Sequence, residues 1–496
     1  MKLSRVGFLL LLSLIVSLPM KLTLAAKAKK RPNILFLFAD DQNAGTVGAF
    51  GNPHVKTPNI DRIVKGGYRF TRAYCMGSMS GAVCIPSRAM LNSGRTLFHV
   101  KHNLAGSPLL PEVLGNHGYT TFGTGKWHNG QKSFVRGFQH GKAVFFGGMN
   151  DHTKVPLADV TPDDKIINRR VGNKFSNILF ADAAIDFLKN HDDEKPFYAY
   201  VAFTAPHDPR QAPEEFMKMY EPEKIPVPKN FMPQHPFFNG WMTGRDEALA
   251  PWPRTRKIIR HQTAEYYALI THMDSQIGRI LKTLKETGQA ENTIIVYAAD
   301  HGLALGRHGL LGKQSVYEHS MNAPLVFYGP GIPQGKTTDA FAYLLDIFPT
   351  LCDLTGIKIP DSVEGKSLAG ILRGKETGVR DTVYTAYQKV MRSVRDDRWK
   401  LIRYTHINKT QLFDLKNDPL ELHNLAGNKE QAARVEKMMA QLADWQKKLG
   451  DKLPLTTKNP VSEKIDLTGR KRRPDRHQPK WIVRKYFDLE GWDYRD

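Results

Sequence analysis

Cys84 opens the run Cys84-Ile85-Pro86-Ser87-Arg88, and Ser93-Gly94-Arg95 follows after a short gap. Taken alone, a cysteine beside a proline turn reads as a small buried hydrophobe. Cys75 and Cys352 lack such flanks and keep that reading. Other chemistry-bearing residues stand where apolar runs end. The run Asn33 to Ala39 leads into Asp40-Asp41, Phe197 to Phe203 leads to Pro206-His207-Asp208, and Thr293 to Ala299 ends at Asp300-His301. Asp40, Asp41 and Asp300 offer hard carboxylate oxygens of the kind that Ca²⁺ or Mg²⁺ takes. An isolated Asp-Asp pair after a strand reads equally well as a helix cap.

The pattern around Cys84 resembles the signature of the formylglycine-dependent (type I) sulfatases of the alkaline-phosphatase-like superfamily. That signature is Cys-x-Pro-Ser-Arg followed by Thr or Ser, then Gly-Arg, with Ser93 here in the Thr/Ser slot. The resemblance implies that Cys84 is oxidised by a maturation enzyme to formylglycine, whose hydrate attacks sulfur. It also implies a metal held by Asp40, Asp41, Asp300, His301 and the converted Cys84, with calcium as the usual ion and magnesium as the alternative. His301 stands where many relatives carry Asn, and imidazole is a less usual ligand for a hard cation.

Further blocks carry further expected roles. Gly125-Lys126-Trp127-His128 matches the block whose lysine grips the sulfate and whose histidine contacts the hydrate. His207 corresponds to the histidine that protonates the leaving oxygen, and Lys313, in Gly312-Lys313-Gln314, to a second sulfate-binding lysine. Arg88 corresponds to the arginine that stabilises the hydrate. Leu412 to Pro419 and Asn424-Leu425 resemble the family's C-terminal block. Asp208, Arg210 and His308 carry groups suited to reading sugar hydroxyls or a neighbouring anion, and suited equally to loop salt bridges.

Near-continuous apolar strands imply a sheet covered on both faces, and open α/β sheets bind ligands beyond the carboxyl ends of their strands. The expected architecture is α/β: a large mixed, mostly parallel sheet flanked by helices. Helical spacing from Tyr267 to Leu284 with a stop at Gly288, and again from Phe180 to His191, supplies two of those helices. The proline-rich segment 209–253 reads as a long, ordered surface loop. Past Arg380, short alternating strands and a helix from about Gln431 to Leu449 predict a smaller antiparallel sheet packed by a helix. The expected organisation is a leader over 1–25, a catalytic domain over 26–379, a C-terminal α+β subdomain over 380–450 and a basic, solvated extension over 451–496.

The leader rests on Lys2 and Arg5, a short apolar centre from Gly7 to about Pro19, and the small residues Ala25-Ala26. That pattern is a secretory signal, too short for a membrane span, so the expectation is an exported protein, periplasmic or secreted, without stable membrane insertion. The net charge is +22, of which the first 26 residues carry +3 (Lys2, Arg5, Lys21), leaving +19. Such an excess attracts polyanions. No nucleic-acid-binding motif is present, so a sulfated carbohydrate is the expected substrate. Phosphonate or phosphate monoester hydrolysis, sulfamate hydrolysis, and non-catalytic binding of sulfated glycans are the competing readings.

Overall fold

In the computed structural model, which describes residues 30–192, 194–468, 470 and 476–487, the strand Asn33–Ala39 lies at the centre of a ten-stranded sheet. All seven of its side chains are buried, as an apolar run with no polar face requires. It runs parallel to Phe197–Ala202 on one side and Thr293–Ala299 on the other, with Phe38 opposite both Ala202 and Ala298. Thr120–Lys126 adds a further parallel strand beside Phe197–Ala202. Towards the edges, Asn322–Tyr328 pairs antiparallel with Thr293–Ala299, and Pro156–Val160 antiparallel with His140–Phe145. With His140–Phe145 parallel to Thr120–Lys126, five neighbouring parallel strands end together, and the residues following them are brought to one edge.

Helices close the sheet as their spacing predicts. Thr255 caps the 31-residue helix Arg256–Glu286 by accepting from the Ile258 amide at 3.1 Å. Gly288 follows the helix at a φ of +74°. That helix packs on Ser176–Asn190, which in turn touches the strands Thr120–Lys126 and Phe197–Ala202. From Arg31 onward the chain clusters as one unit.

The smaller sheet orders Lys409–Asp414, Trp399–Tyr404, Met391–Arg395 and Val383–Tyr387 antiparallel, with the helix Ala432–Leu449 against it. It also has a fifth strand that the sequence does not announce. Gly77–Ser78, from the segment leading to Cys84, pairs parallel with Ala386 and Tyr387. Gly77 has a φ of +101°, and a Cβ there would lie 1.8 Å from the Ala386 carbonyl oxygen, so only glycine fits. The small sheet thus anchors the run that delivers Cys84.

Two expectations change. The segment 209–253 contains the short helix Glu214–Met217, and it buries Asn230, His235, Asn239, Asp246 and Glu247, so much of it is interior and not surface. The C-terminal extension is not wholly solvated. Residues 476–487 return to the body, and the helix Lys480–Phe487 buries Ile482 and Tyr486 against Leu249, Ile258 and Leu311. The leader over 1–25 and, apart from Arg470, the basic run 469–473 lie outside the described residues. Among the described residues no helix is long and apolar enough to cross a membrane.

Candidate active site

Cys84 is the first residue of the helix Cys84–Ser93, nine of whose ten residues are buried. Pro86 falls in the first turn, where its missing N–H leaves no intrahelical bond unmade. Gly94 closes the helix at a φ of +64°, its amide donating to the Met90 carbonyl at 2.8 Å. Ser87 Oγ donates to the Asp300 carbonyl at 2.7 Å. The Arg88 guanidinium donates to the Lys126 carbonyl at 2.7 Å and to Asp300 Oδ2 at 3.2 Å. The Cys-x-Pro-Ser-Arg run is therefore a helix start bolted across two strand ends.

Those strand ends converge. Lys126 Nζ lies 2.6 Å from Asp40 Oδ2, and Lys313 Nζ lies 2.6 Å from Asp41 Oδ2 and 2.9 Å from His207 Nε2. Gly125 has a φ of +81°, and a Cβ there would lie 1.9 Å from the Ala202 carbonyl oxygen. That close approach separates the next two side chains: Lys126 meets Asp40, while Trp127 is buried edge-on against Tyr200 with its Nε1 donating to Ser133 at 2.9 Å.

The carboxylates are incompletely paired. Asp40 Oδ1, Asp41 Oδ1 and His301 Nε2 are buried without hydrogen-bond partners. His301 Nε2 lies 3.3 Å from Asp41 Oδ1 and 3.6 Å from Asp300 Oδ1. Oxygens of Asp40, Asp41 and Asp300 lie within 4.8 Å of one another, and Cys84, Asp300 and His301 form an overlapping trio. Orphaned buried anionic oxygens are costly unless a ligand completes them, and three hard oxygens with one imidazole suit a divalent cation.

The electrostatics agree with an anion site. Burial opposes ionisation of Cys84, yet Lys126, His128 and Lys313 together hold it well below the ordinary thiol range. Burial disfavours a charged His207, but Asp41 and Asp208 outweigh it and raise its pKa. Cys75 and Cys352 are buried free thiols, each pushed up to about 12 by burial.

A cavity of about 260 Å³ opens over Cys84, with His128, His207 and Lys313 in its wall and Met149, Trp241, Arg245 and Asp246 at its other residues. A larger cavity of about 530 Å³ is lined by Thr120, His140 and Asp186, and contains none of the constellation. Of the remaining sequence candidates, Asp208 is buried beside His207, its Oδ1 3.2 Å from His207 Nδ1. Arg210 is buried with its guanidinium on Gln262, and His308 stacks on Tyr317 at 4.0 Å; neither lines the cavity over Cys84.

Sequence reasoning missed the partners supplied by 209–253. Arg245 bridges Asp208 and Asp246, and Asp246 Oδ2 lies 3.6 Å from Lys313 Nζ. Glu247 accepts from the Leu311 and Gly312 amides at 2.9 and 2.8 Å, fixing the turn before Lys313. An acidic pair in an aperiodic segment gave no signal of either contact.

Residues 32–357 match the family model described as Sulfatase, and residues 306–448 match that of N-sulphoglucosamine sulphohydrolase, C-terminal. An arylsulfatase of Clostridium perfringens is 28% identical over 458 residues, covering 82% of this chain and 92% of the relative. An N-acetylglucosamine-6-O-sulfatase of Bacteroides thetaiotaomicron is 27% identical, covering 86% and 88%. The solved structure of BT4656 in complex with its substrate D-glucosamine-2-N,6-O-disulfate superposes with a TM-score of 0.73 at 26% identity, covering 86% of this chain and 99% of that one. With the Sulfatase model spanning more than half of its length, the chain belongs to the sulfatase family.

Proposed function

We propose that this protein is an exported sulfatase that hydrolyses sulfate esters of sulfated carbohydrates through Cys84 after its conversion to formylglycine. The observation that carries the reading is the convergence, beside Cys84, of Lys126 and Lys313 with three buried atoms that lack partners: Asp40 Oδ1, Asp41 Oδ1 and His301 Nε2. The carbohydrate sulfatases among the relatives and the +19 charge beyond the first 26 residues support a sulfated saccharide as substrate. The basic, apolar start of the chain supports export.

Asp40, Asp41, Asp300 and His301 would hold the divalent cation, with calcium favoured by the carboxylate oxygens and magnesium the alternative. A cation held there would supply Lewis acidity to the reaction. The protein's own groups do the rest. Lys126 and Lys313, at the ends of Asp40 and Asp41, would be the cations that bind the sulfate oxygens. Arg88 is spanned between Asp300 and the Lys126 carbonyl and holds both ligand strands in place. His207, its pKa raised and its Nδ1 fixed by the Asp208 carbonyl at 2.8 Å, keeps Nε2 toward the cavity to protonate the leaving alkoxide. His128, in the wall of the same cavity as Cys84, is placed to take a proton from the residue at that position.

The test is the mass of the peptide containing position 84, from protein co-expressed with a formylglycine-generating enzyme. An aldehyde in place of the thiol is expected, together with turnover of sulfate esters that Cys84→Ala abolishes without unfolding the protein. An intact thiol in active protein, or an active alanine variant, defeats the proposal. The match of residues 306–448 to a sulphohydrolase of N-sulphoglucosamine supports sulfamate cleavage as a second reading. Parallel assays on N-sulfated and O-sulfated glucosamine separate the two.

A further inference from the structure

Residues 476–487 return to the catalytic constellation. The helix Lys480–Phe487 is anchored by buried Ile482 and Tyr486. Glu265 of the long helix Arg256–Glu286 also holds it, accepting from Lys485 Nζ at 2.6 Å and from the Tyr486 hydroxyl at 2.8 Å. Both groups sit on a carboxylate only 2% exposed, so the anchor is a built one. Just before the helix, Gln478 is carried inward until its side chain is buried, and its Nε2 donates to Asp208 Oδ2 at 2.5 Å.

Asp208 is a pivotal place for that bond. Its carboxylate also receives the Arg245 guanidinium, which in turn reaches Asp246, and it directly follows His207. Arg245 and Asp246 both line the cavity above Cys84, whereas Gln478 and Asp208 do not. The amide therefore acts at one remove: it takes up part of an oxygen that Arg245 shares, and so fixes the carboxylate on which the guanidinium rests. At about 260 Å³ the cavity is smaller than the roughly 300–1,000 Å³ typical of ligand pockets, a size for one sugar unit. With so little room, the direction of one guanidinium decides which hydroxyls and neighbouring anionic groups it can meet.

We propose that the C-terminal arm, residues 476–487, is a specificity element in which Gln478 is a positioning residue, setting Asp208 and through it Arg245 for the sugar that carries the scissile sulfate. The inference rests on the sulfated-saccharide reading above.

The experiment compares wild type, Gln478→Leu and Gln478→Glu in the full chain, on 4-nitrophenyl sulfate and on a panel of sulfated mono- and disaccharides. The leucine removes the donor at similar volume; the glutamate sets a carboxylate against Asp208. For the saccharides KM rises about tenfold, the order expected for one hydrogen bond to a charged group, while kcat stays within twofold. For 4-nitrophenyl sulfate, which has no hydroxyls to read, KM moves less than twofold. A variant that melts earlier but keeps this split between substrates still supports the proposal, since a merely structural residue lowers both activities together. Equal changes in KM for both substrates, or no change for either, overturn it. A wild-type enzyme that cleaves the aryl ester and none of the saccharides overturns the saccharide reading and this inference with it, before any variant is measured.

Discussion

Among the clusters of buried charge in the described residues, two are finished differently. Around Glu318 and Glu421 three of the four carboxylate oxygens accept a hydrogen bond, and the fourth has an ammonium beside it. Glu318 Oε2 takes the Tyr74 hydroxyl at 2.6 Å and the Arg395 guanidinium, and its Oε1 takes Lys400 Nζ at 3.0 Å. Glu421 Oε2 accepts the Glu318 amide at 2.9 Å, while its Oε1 is ion-paired with the same Lys400 at 2.8 Å without hydrogen-bond geometry. Beside Cys84, Asp40 Oδ1 has Arg88 Nη2 no nearer than 3.4 Å, and Asp41 Oδ1 has His301 Nε2 at 3.3 Å, neither a hydrogen bond. A buried polar atom left unsatisfied costs about 1–3 kcal/mol, and more when charged. The more fully paired cluster joins the turn before Asn322–Tyr328 to the small sheet; the less paired one is the proposed cation site.

The comparison is broken most directly by exchanging one lysine in each cluster for methionine. Lys400→Met strips the shared cation from two buried glutamates, and a loss of about 3–5 kcal/mol in unfolding free energy is expected. Turnover per folded molecule should be nearly unchanged. Lys126→Met removes the cation proposed to bind the sulfate, and a fall of about 10²–10³ in kcat is expected, with a smaller effect on stability. Urea unfolding and steady-state kinetics on both variants decide it. A Lys400→Met protein that is stable and inactive would reverse the assignments.

The difference between the clusters also explains what could be read from the chain alone. Asp40-Asp41, Asp300-His301 and His207 each follow an unbroken apolar run, and a buried parallel strand can only deliver its next residues to the sheet's carboxyl edge. The edge was therefore legible as three short segments. Cys84, Lys126 and Lys313 became legible through the resemblance of their flanking blocks. Asp246 and Gln478 were not legible: one lies in an aperiodic, proline-rich stretch and the other in a basic tail, and each reaches the site by long-range packing. The Glu318–Lys400–Glu421 cluster was hidden for a similar reason, since its pairs span 82 and 103 positions. The pairing of Gly77–Ser78 with the small sheet escaped too, because two residues carry no period.

A cation sharpens the comparison from the other side. If the unpaired oxygens of Asp40 and Asp41 are a binding site, divalent metal should stabilise the native state by mass action. Protein dialysed against EDTA should gain about 2.7 kcal/mol when calcium is restored to 100 times its dissociation constant. The readout is the thermal melting point as a function of free calcium, taken beside activity. Lys400→Met protein should show the same increment from its lower baseline, because its defect lies in the other cluster. A melting point indifferent to calcium and magnesium would leave the orphaned oxygens without a purpose.

The smallest effect concerns the histidines packed near Glu318 and Glu421. His308 stacks on Tyr317 and lies close to His319. Burial, with His235, Lys400 and Arg307 nearby, lowers its pKa from 6.5 to about 3, although a hydrogen bond to the Leu420 backbone opposes the shift. The folded state therefore holds His308 neutral where the unfolded chain would protonate it. Its contribution is fully present above pH 6.5 and is lost progressively as the pH falls from 6.5 toward about 3. Between pH 6.5 and 5 that loss is about 2 kcal/mol for this one group. His308→Gln, which cannot titrate, should flatten the acid limb of the stability curve by that amount, read from urea midpoints at the two pH values. The same substitution should leave the pH dependence of turnover in place, because the ring does not line the cavity over Cys84. A shift in the kinetic profile without one in stability would instead tie His308 to the reacting groups, and the division between a cluster that holds and a cluster that binds would fail at that residue.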